Sequence, residues 1–238
     1  MNILLVNDDG YQSEALAALR EKLKKYGHVT TLAPNQAMSG KSVALTIYHP
    51  FHLFSHGEDI YSIDGTPADC VSLGLTSLNK KFDLVVSGIN YGLNITYDTM
   101  HSGTCGACME AIMYDTPAIA FSMEYNHDIM IEHIDEAMQY ILKNDLLSSS
   151  YFLNVNFPFG KIVKGIKFTN LCKRKDKRYF INDDGTIYPK RDIDDGQYDE
   201  NSDVYAVNNG YISVCPMKDT VFSSTLYKEI KTNKKLYG

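Results

Sequence analysis

Short apolar runs alternate with helix-spaced apolar residues up to about residue 156, and that alternation restricts the architectures open to this chain. Asn2-Ile3-Leu4-Leu5-Val6 is a nearly all-apolar run, as expected of a strand covered on both faces. Leu16, Leu19, Leu23 and Tyr26 follow at helical spacing, with Ser13 as cap and Gly27 as terminator. Residues 29–33 read as a strand stopped by Pro34, and 43–47, 51–54 and 59–63 as further short strands. Thr66-Pro67 opens a helix that runs to Leu78, with Thr as cap and Pro at the first position. Strands at 83–87 and 118–122 and helices at 103–114 and 129–142 continue the pattern, with a long loop over 88–102. The implied fold is α/β, a doubly wound and mostly parallel sheet in a Rossmann-like three-layer αβα arrangement. Beyond residue 156 come short β runs at 166–169, 179–181, 205–207 and 211–214, then a helix at 220–231. This divides the chain into an αβα core, 1–158, and a β-rich C-terminal extension with a final helix, 159–238.

Composition excludes several functions. A net charge of −6 argues against a nucleic-acid polymer as partner. The basic stretch 172–178 and the acidic stretch 192–203 read as solvated loops. No apolar run approaches the length of a membrane span, and the N-terminus enters a strand with no basic leader. The five cysteines, Cys70, Cys105, Cys108, Cys172 and Cys215, are odd in number and irregularly spaced, which suits a reducing cytoplasm rather than a disulfide framework. Cys105-Gly106-Ala107-Cys108 has redox or zinc spacing, but no second pair joins it, and its small neighbours read as helix packing.

The chemistry-bearing residues gather where the strands should end, which is where open α/β sheets bind ligands. After the first strand stand Asn7-Asp8-Asp9-Gly10. Neighbouring side chains on an extended strand diverge, so the two carboxylates converge only if the chain turns, which Gly10 permits. Two such anions about 4 Å apart repel by about 4 kcal/mol at an effective dielectric of about 20, and a cation removes that cost. After the second strand come Asn35 and Ser39-Gly40-Lys41-Ser42. After 83–87 come Gly88-Ile89-Asn90-Tyr91-Gly92-Leu93-Asn94, then His101-Ser102-Gly103-Thr104 opening a helix. Hard oxygen donors dominate this set, favouring Mg²⁺, Mn²⁺ or Ca²⁺ over zinc or copper. A Ser-Gly-Thr helix start suits phosphate.

Three alternatives fail on particular residues. Gly40-Lys41-Ser42 resembles the end of a P-loop, but that motif needs glycine where Asn35 stands and a helix where strand-like residues follow. An aspartyl-nucleophile phosphatase places two Asp one residue apart, and Asn7 occupies the first place. A receiver domain needs a phosphoacceptor Asp after its third strand, where this chain has His49-Pro50.

The chain resembles the survival protein SurE family of metal-dependent nucleotide phosphatases, a 5′-nucleotidase family. The resemblance rests on Asn7-Asp8-Asp9-Gly10, Ala33-Pro34, Ser39-Gly40, Asp64-Gly65-Thr66-Pro67-Ala68-Asp69-Cys70 and Val86-Ser87-Gly88-Ile89-Asn90-Tyr91-Gly92-Leu93-Asn94. It continues through His101-Ser102-Gly103-Thr104, Pro117-Ala118-Ile119-Ala120, Asn154-Val155-Asn156-Phe157-Pro158, Ser202-Asp203 and Gly210-Tyr211-Ile212-Ser213. It implies one divalent ion per subunit, held by Asp8, Asp9, Ser39 and Asn90, with phosphate lined by Asn94, Ser102, Gly103 and Thr104. It implies nucleoside 5′-monophosphates as substrates, Mg²⁺ or Mn²⁺ as the ion, and Asp8 and Asp9 as the catalytic pair. A homodimer or homotetramer is expected, because family members exchange C-terminal segments. The competing expectation is a nucleotide-binding or regulatory module that uses the same pocket without turnover. Two residues depart from the family pattern: Ala15 for a usual glycine, and Met38 for a common arginine.

Overall fold

Strand β1 (Asn2–Val6) lies at the middle of the structure with Ile3 through Val6 fully buried, because its apolar side chains meet helices on both faces. The computed structural model describes residues 1–124, 131–160, 162–173, 176–193 and 196–218. Helix α1 (Glu14–Leu23) follows, capped by Ser13, and leads to β2 (His28–Pro34). The helix ends at Leu23, so Gly27 belongs to the link into β2. Then come β3 (Leu53–Ser55), β4 (Ile60–Ile63) and α2 (Pro67–Ser77). Next are β5 (Leu84–Tyr91), a 3₁₀ turn over Thr96–Met100, α3 (Gly103–Met113) and β6 (Ala118–Met123). Helix α4 (Ile134–Lys143) and β7 (Phe152–Asn156) complete the alternation.

Among the described residues these strands form one sheet of nine, in the order β3-β4-β2-β1-β5-β6-β7 followed by β11 (Tyr211–Met217) and β8 (Gly165–Phe168). β4, β2, β1, β5, β6 and β7 run parallel; β3 is antiparallel to β4, and β11 to β7. Leu16, Leu19 and Leu23 of α1 and Ile134, Met138 and Ile141 of α4 cover one face. Cys70 and Val71 of α2 and Cys105, Cys108 and Ala111 of α3 cover the other. The three-layer αβα arrangement is therefore present. Two strands from beyond residue 158, β8 and β11, extend the same sheet. β9 (Lys177–Asp183) and β10 (Thr186–Asp192) form a separate, exposed antiparallel hairpin.

Three local expectations are corrected. Residues 43–47 form no strand; side chains of neighbouring elements bind their backbone instead. β5 does not stop at Ser87 but continues to Tyr91 through a register shift against β6 between Ser87 and Asn90, a bulge that re-aims the strand end. Residues 205–207 lie in a short helix, α5 (Asp203–Asn208), capped by Ser202, which buries Val204 and Val207 against Ile95. The helix expected at 220–231 lies outside the described residues.

Candidate active site

β1 is the point where the strand order turns. The chain leaves it toward β2 and β4 on one side and later resumes on the other with β5, β6 and β7. α1 and α3 consequently diverge to opposite faces, opening a crevice above the carboxyl ends of β1 and β5. Asp8 and Asp9 stand at its floor. Asn7 closes the turn that brings them there: its Nδ2 donates to the Gly10 carbonyl at 2.9 Å and its Oδ1 accepts from the Gly10 amide at 3.2 Å. Gly10 sits at φ +100, a conformation that side chains resist.

Asp8 is 3% exposed and held from three directions. The Thr104 hydroxyl donates to its Oδ1 at 2.7 Å, and its backbone carbonyl accepts from the Met38 amide at 2.7 Å. The first turn of α3 leans directly on it: a Cβ on Gly103 would lie 2.9 Å from the Asp8 Cβ, so only glycine allows that approach. Burial pushes the Asp8 carboxyl above its ordinary range, and the Thr104 hydroxyl with the Thr104 and Gly103 amides pulls it back.

Asp9 is less buried, yet its pKa is pushed up to about 6 by burial and by the charge of Asp8, opposed by the Tyr91 amide. Its Oδ2 is buried with no hydrogen-bond partner. An orphaned carboxylate oxygen beside a second carboxylate is unfavourable unless a cation or a proton is added. No cluster of three or more His, Cys, Asp or Glu suited to a metal exists among the described residues. An ion held here must therefore be completed by neutral oxygens, as a hard cation tolerates. The donor set fits such an ion.

The remaining sequence-selected residues fall into two groups. Next to residues that touch the pair are Ser39, exposed and one residue beyond Met38, and Asn90, the penultimate residue of β5, just past its bulge and one before the Tyr91 amide that meets Asp9. Asn90 spends its side-chain nitrogen on the Gly92 carbonyl at 2.6 Å, leaving its amide oxygen as the end to offer a cation. Ser102 caps α3, accepting from the Cys105 amide at 3.1 Å. Asn94 is embedded more deeply than an open phosphate contact, at 6% exposure. Its Nδ2 donates to Ser122 Oγ at 2.8 Å, its amide to Asn156 Oδ1 at 2.8 Å, and its carbonyl accepts from Asn154 at 2.7 Å and Asn156 at 3.0 Å. Ser122 is the register partner of Asn90, so this amide network abuts the end of β5 that carries Asn90. Reasoning from sequence overlooked Ser122, Asn154 and Asn156 as holders of Asn94; three polar residues in otherwise apolar strands were the available signal. It also assigned Thr104 to phosphate alone, whereas its hydroxyl engages Asp8. Cys105 and Cys108 lie on the buried face of α3, and burial pushes the Cys105 thiol up to about 12, as befits packing residues rather than nucleophiles.

A sequence model described as "Survival protein SurE" matches residues 3–178. A protein of Aquifex aeolicus (strain VF5) named 5′-nucleotidase SurE is 41% identical over 241 positions, covering 96% of each chain. A 5′-nucleotidase SurE of Clostridium botulinum (strain Alaska E43 / Type E3) is 34% identical over the whole of both chains. A Wigglesworthia glossinidia brevipalpis protein named 5′/3′-nucleotidase SurE is 39% identical, covering 91% of each. The crystal structure of the SurE protein from Aquifex aeolicus superposes with a TM-score of 0.85 at 38% identity, covering 98% of this chain and 100% of that one.

Proposed function

Because this chain belongs to the survival protein SurE family, we propose that it hydrolyses nucleoside 5′-monophosphates to nucleoside and phosphate, using one Mg²⁺ or Mn²⁺ per subunit at the Asp8–Asp9 pair. The observation that carries the reading is the buried, unpartnered Asp9 Oδ2 beside a second buried carboxylate. Asp8, Asp9, Ser39 and Asn90 would hold the ion. When bound, it polarises the phosphoryl oxygens and activates water for in-line attack. Asp8 already occupies the positive end of α3. Without a cation the crevice floor therefore repels phosphate, which disfavours a passive anion-binding module. Thr104 keeps Asp8 in place through its hydroxyl, the Ser102–Thr104 turn would orient the phosphoryl group, and Asn94 ties the neighbouring strand ends together from beneath. One carboxylate of the Asp8–Asp9 pair would also take the attacking water's proton.

Two further readings accompany this one. The exposed β9–β10 hairpin carries Phe180, Ile187 and Tyr188 in solvent, which supports a homodimer or homotetramer assembled through the extension. The odd number and irregular spacing of the five cysteines support a reducing, cytoplasmic setting, and no described helix is long and apolar enough to cross a membrane.

Phosphate release from a panel of nucleoside 5′- and 3′-monophosphates, with EDTA and metal add-back, tests the activity. Turnover abolished by EDTA and restored by Mn²⁺ or Mg²⁺ is the expected result. Full turnover of metal-stripped protein in excess EDTA would overturn the metal reading.

A further inference from the structure

The signature Asp64-Gly65-Thr66-Pro67-Ala68-Asp69-Cys70 has no part in the chemistry above, and neither has the irregular segment 42–47. The structure joins the two. We infer that Thr66 and Asp69 form a clasp that closes on Ala44 and Thr46 and so positions the segment carrying Ser39 over the acidic pair.

The clasp is built at the start of α2. Thr66 caps the helix, its hydroxyl accepting from the Asp69 amide at 3.1 Å, and Asp69 reaches back to the Thr66 amide at 2.9 Å. Each member of that capping box also has a bond outside the helix. The Thr66 hydroxyl donates to the Ala44 carbonyl at 2.6 Å. Asp69 Oδ1 accepts from the Thr46 amide at 2.9 Å, and Oδ2 from the Thr46 hydroxyl at 2.7 Å. Gly65 leaves room for this carboxylate, since a Cβ there would stand 2.9 Å from its Oδ2. Asp69 is thus a buried acceptor satisfied by three donors, two of them on the far segment.

The clasped segment is the downstream tether of Ser39. Upstream, the Met38 amide holds the Asp8 carbonyl. Midway, the Ser42 amide and hydroxyl donate to the carbonyls of His101 and Met100 at 3.1 and 2.7 Å. Ser39 and Gly40 lie exposed between these anchors. The clasp backs up the Ser42 anchor from the far side, and with fewer restraints downstream a loop samples more conformations, so loosening the clasp spreads the positions open to the Ser39 hydroxyl. Thr46, Thr66 and Asp69 are positioning residues: they touch the strap, not the reacting atoms.

The positioning half of this inference rests on the reading of Ser39 as a metal ligand, so the test has two arms. In the first, amide hydrogen exchange is measured on metal-free protein. Thr46→Val removes the side-chain donor from a partly exposed position and leaves the fold intact. Amides of 42–47 should exchange about tenfold faster than in wild type, with those of β1 unchanged, and Thr46→Ser should restore protection. In the second arm, the Mn²⁺ concentration for half-maximal turnover should rise about tenfold in Thr46→Val, with kcat at saturating Mn²⁺ within about threefold of wild type, because outer residues orient ligands without replacing them. Unchanged exchange in Thr46→Val overturns the clasp whatever the reaction. Faster exchange with unaltered Mn²⁺ dependence, or a loss of kcat at saturating Mn²⁺, overturns the positioning role. A wild-type protein indifferent to metal would defeat the metal reading separately, and the first arm would still judge the clasp.

Discussion

At Asp8 and Asp9 burial and chemistry oppose each other. Both carboxyls are held above their ordinary range by burial, and one oxygen of the pair has no partner. Replacing either by Asn keeps the volume and removes the charge that would hold a cation. Each variant should lose at least about a hundredfold in kcat/KM, a few kcal/mol of transition-state stabilisation, with an unchanged circular dichroism spectrum. Near wild-type turnover in both would remove them from the mechanism. Glu110 presents the same opposition outside the site. Burial and the charge of Asp69 hold its pKa above the ordinary 4.5. The native state then keeps its proton at pH values where the unfolded chain has lost it, so wild-type stability from this group is present at low pH and drains as pH rises through that interval. Glu110→Gln is neutral throughout. Its Tm relative to wild type should therefore climb as pH rises above the unfolded glutamate's ordinary range. A difference that is flat with pH contradicts this account. At this scale the placement of Asp8 and Asp9 just beyond β1 was legible, because an apolar run followed by Asn-Asp-Asp-Gly marks a strand end, whereas Asn90 was expected in a loop and lies within β5. The Ser122, Asn154 and Asn156 cradle was not, because its members come from different strands that meet only once the sheet exists.

Elements were legible where a repeating burial pattern made them. β1 and α1 fall where their apolar spacing places them, and the Thr66-Pro67 start of α2 is an N-cap followed by a first-position proline. Residues 43–47 misled because Val43, Leu45 and Ile47 alternate as a strand would, while the backbone partners lie on α2 rather than on another strand. Residues 205–207 misled because Tyr and Val favour strands locally, whereas packing of Val204 and Val207 on Ile95 rewards a helical turn. Helix α3 shows how closely such irregular segments can be fitted. A Cβ on Gly106 would stand 2.0 Å from the Ser42 carbonyl oxygen, backbone that cannot swing aside as a side chain can. Gly106→Ala should destabilise by about 1–3 kcal/mol, read from chemical denaturation, by forcing helix and strap apart. A variant as stable as wild type would show that the strap moves freely.

For the whole molecule, the arrangement of the sheet was legible from alternation alone, but the destination of the C-terminal strands was not. β11 joins the sheet antiparallel to β7 and brings β8 with it, a pairing that only register in space decides. The β9–β10 hairpin is left standing in solvent with Phe180 at 70% exposure. Light scattering at micromolar concentration should report at least twice the chain mass of 26.8 kDa, and Phe180→Glu with Tyr188→Glu should lower the oligomer fraction. A monomer at every concentration would contradict assembly through the extension. The hairpin is nonetheless moored: Arg178 and Arg191 bind the two oxygens of Asp98 at 3.0 and 2.6 Å. Asp98 lies in the 3₁₀ turn between Asn94 and Ser102, and its backbone carbonyl accepts from the Ser102 amide at 3.2 Å. One residue therefore grips the outermost ribbon with its carboxylate and the Ser102 cap of α3 with its carbonyl. The first of those grips is made of charges in contact with water, whose hold weakens as dissolved salt rises, while the second is indifferent to salt. Rising ionic strength should therefore loosen the hairpin from the body of the molecule while leaving the start of α3 in place.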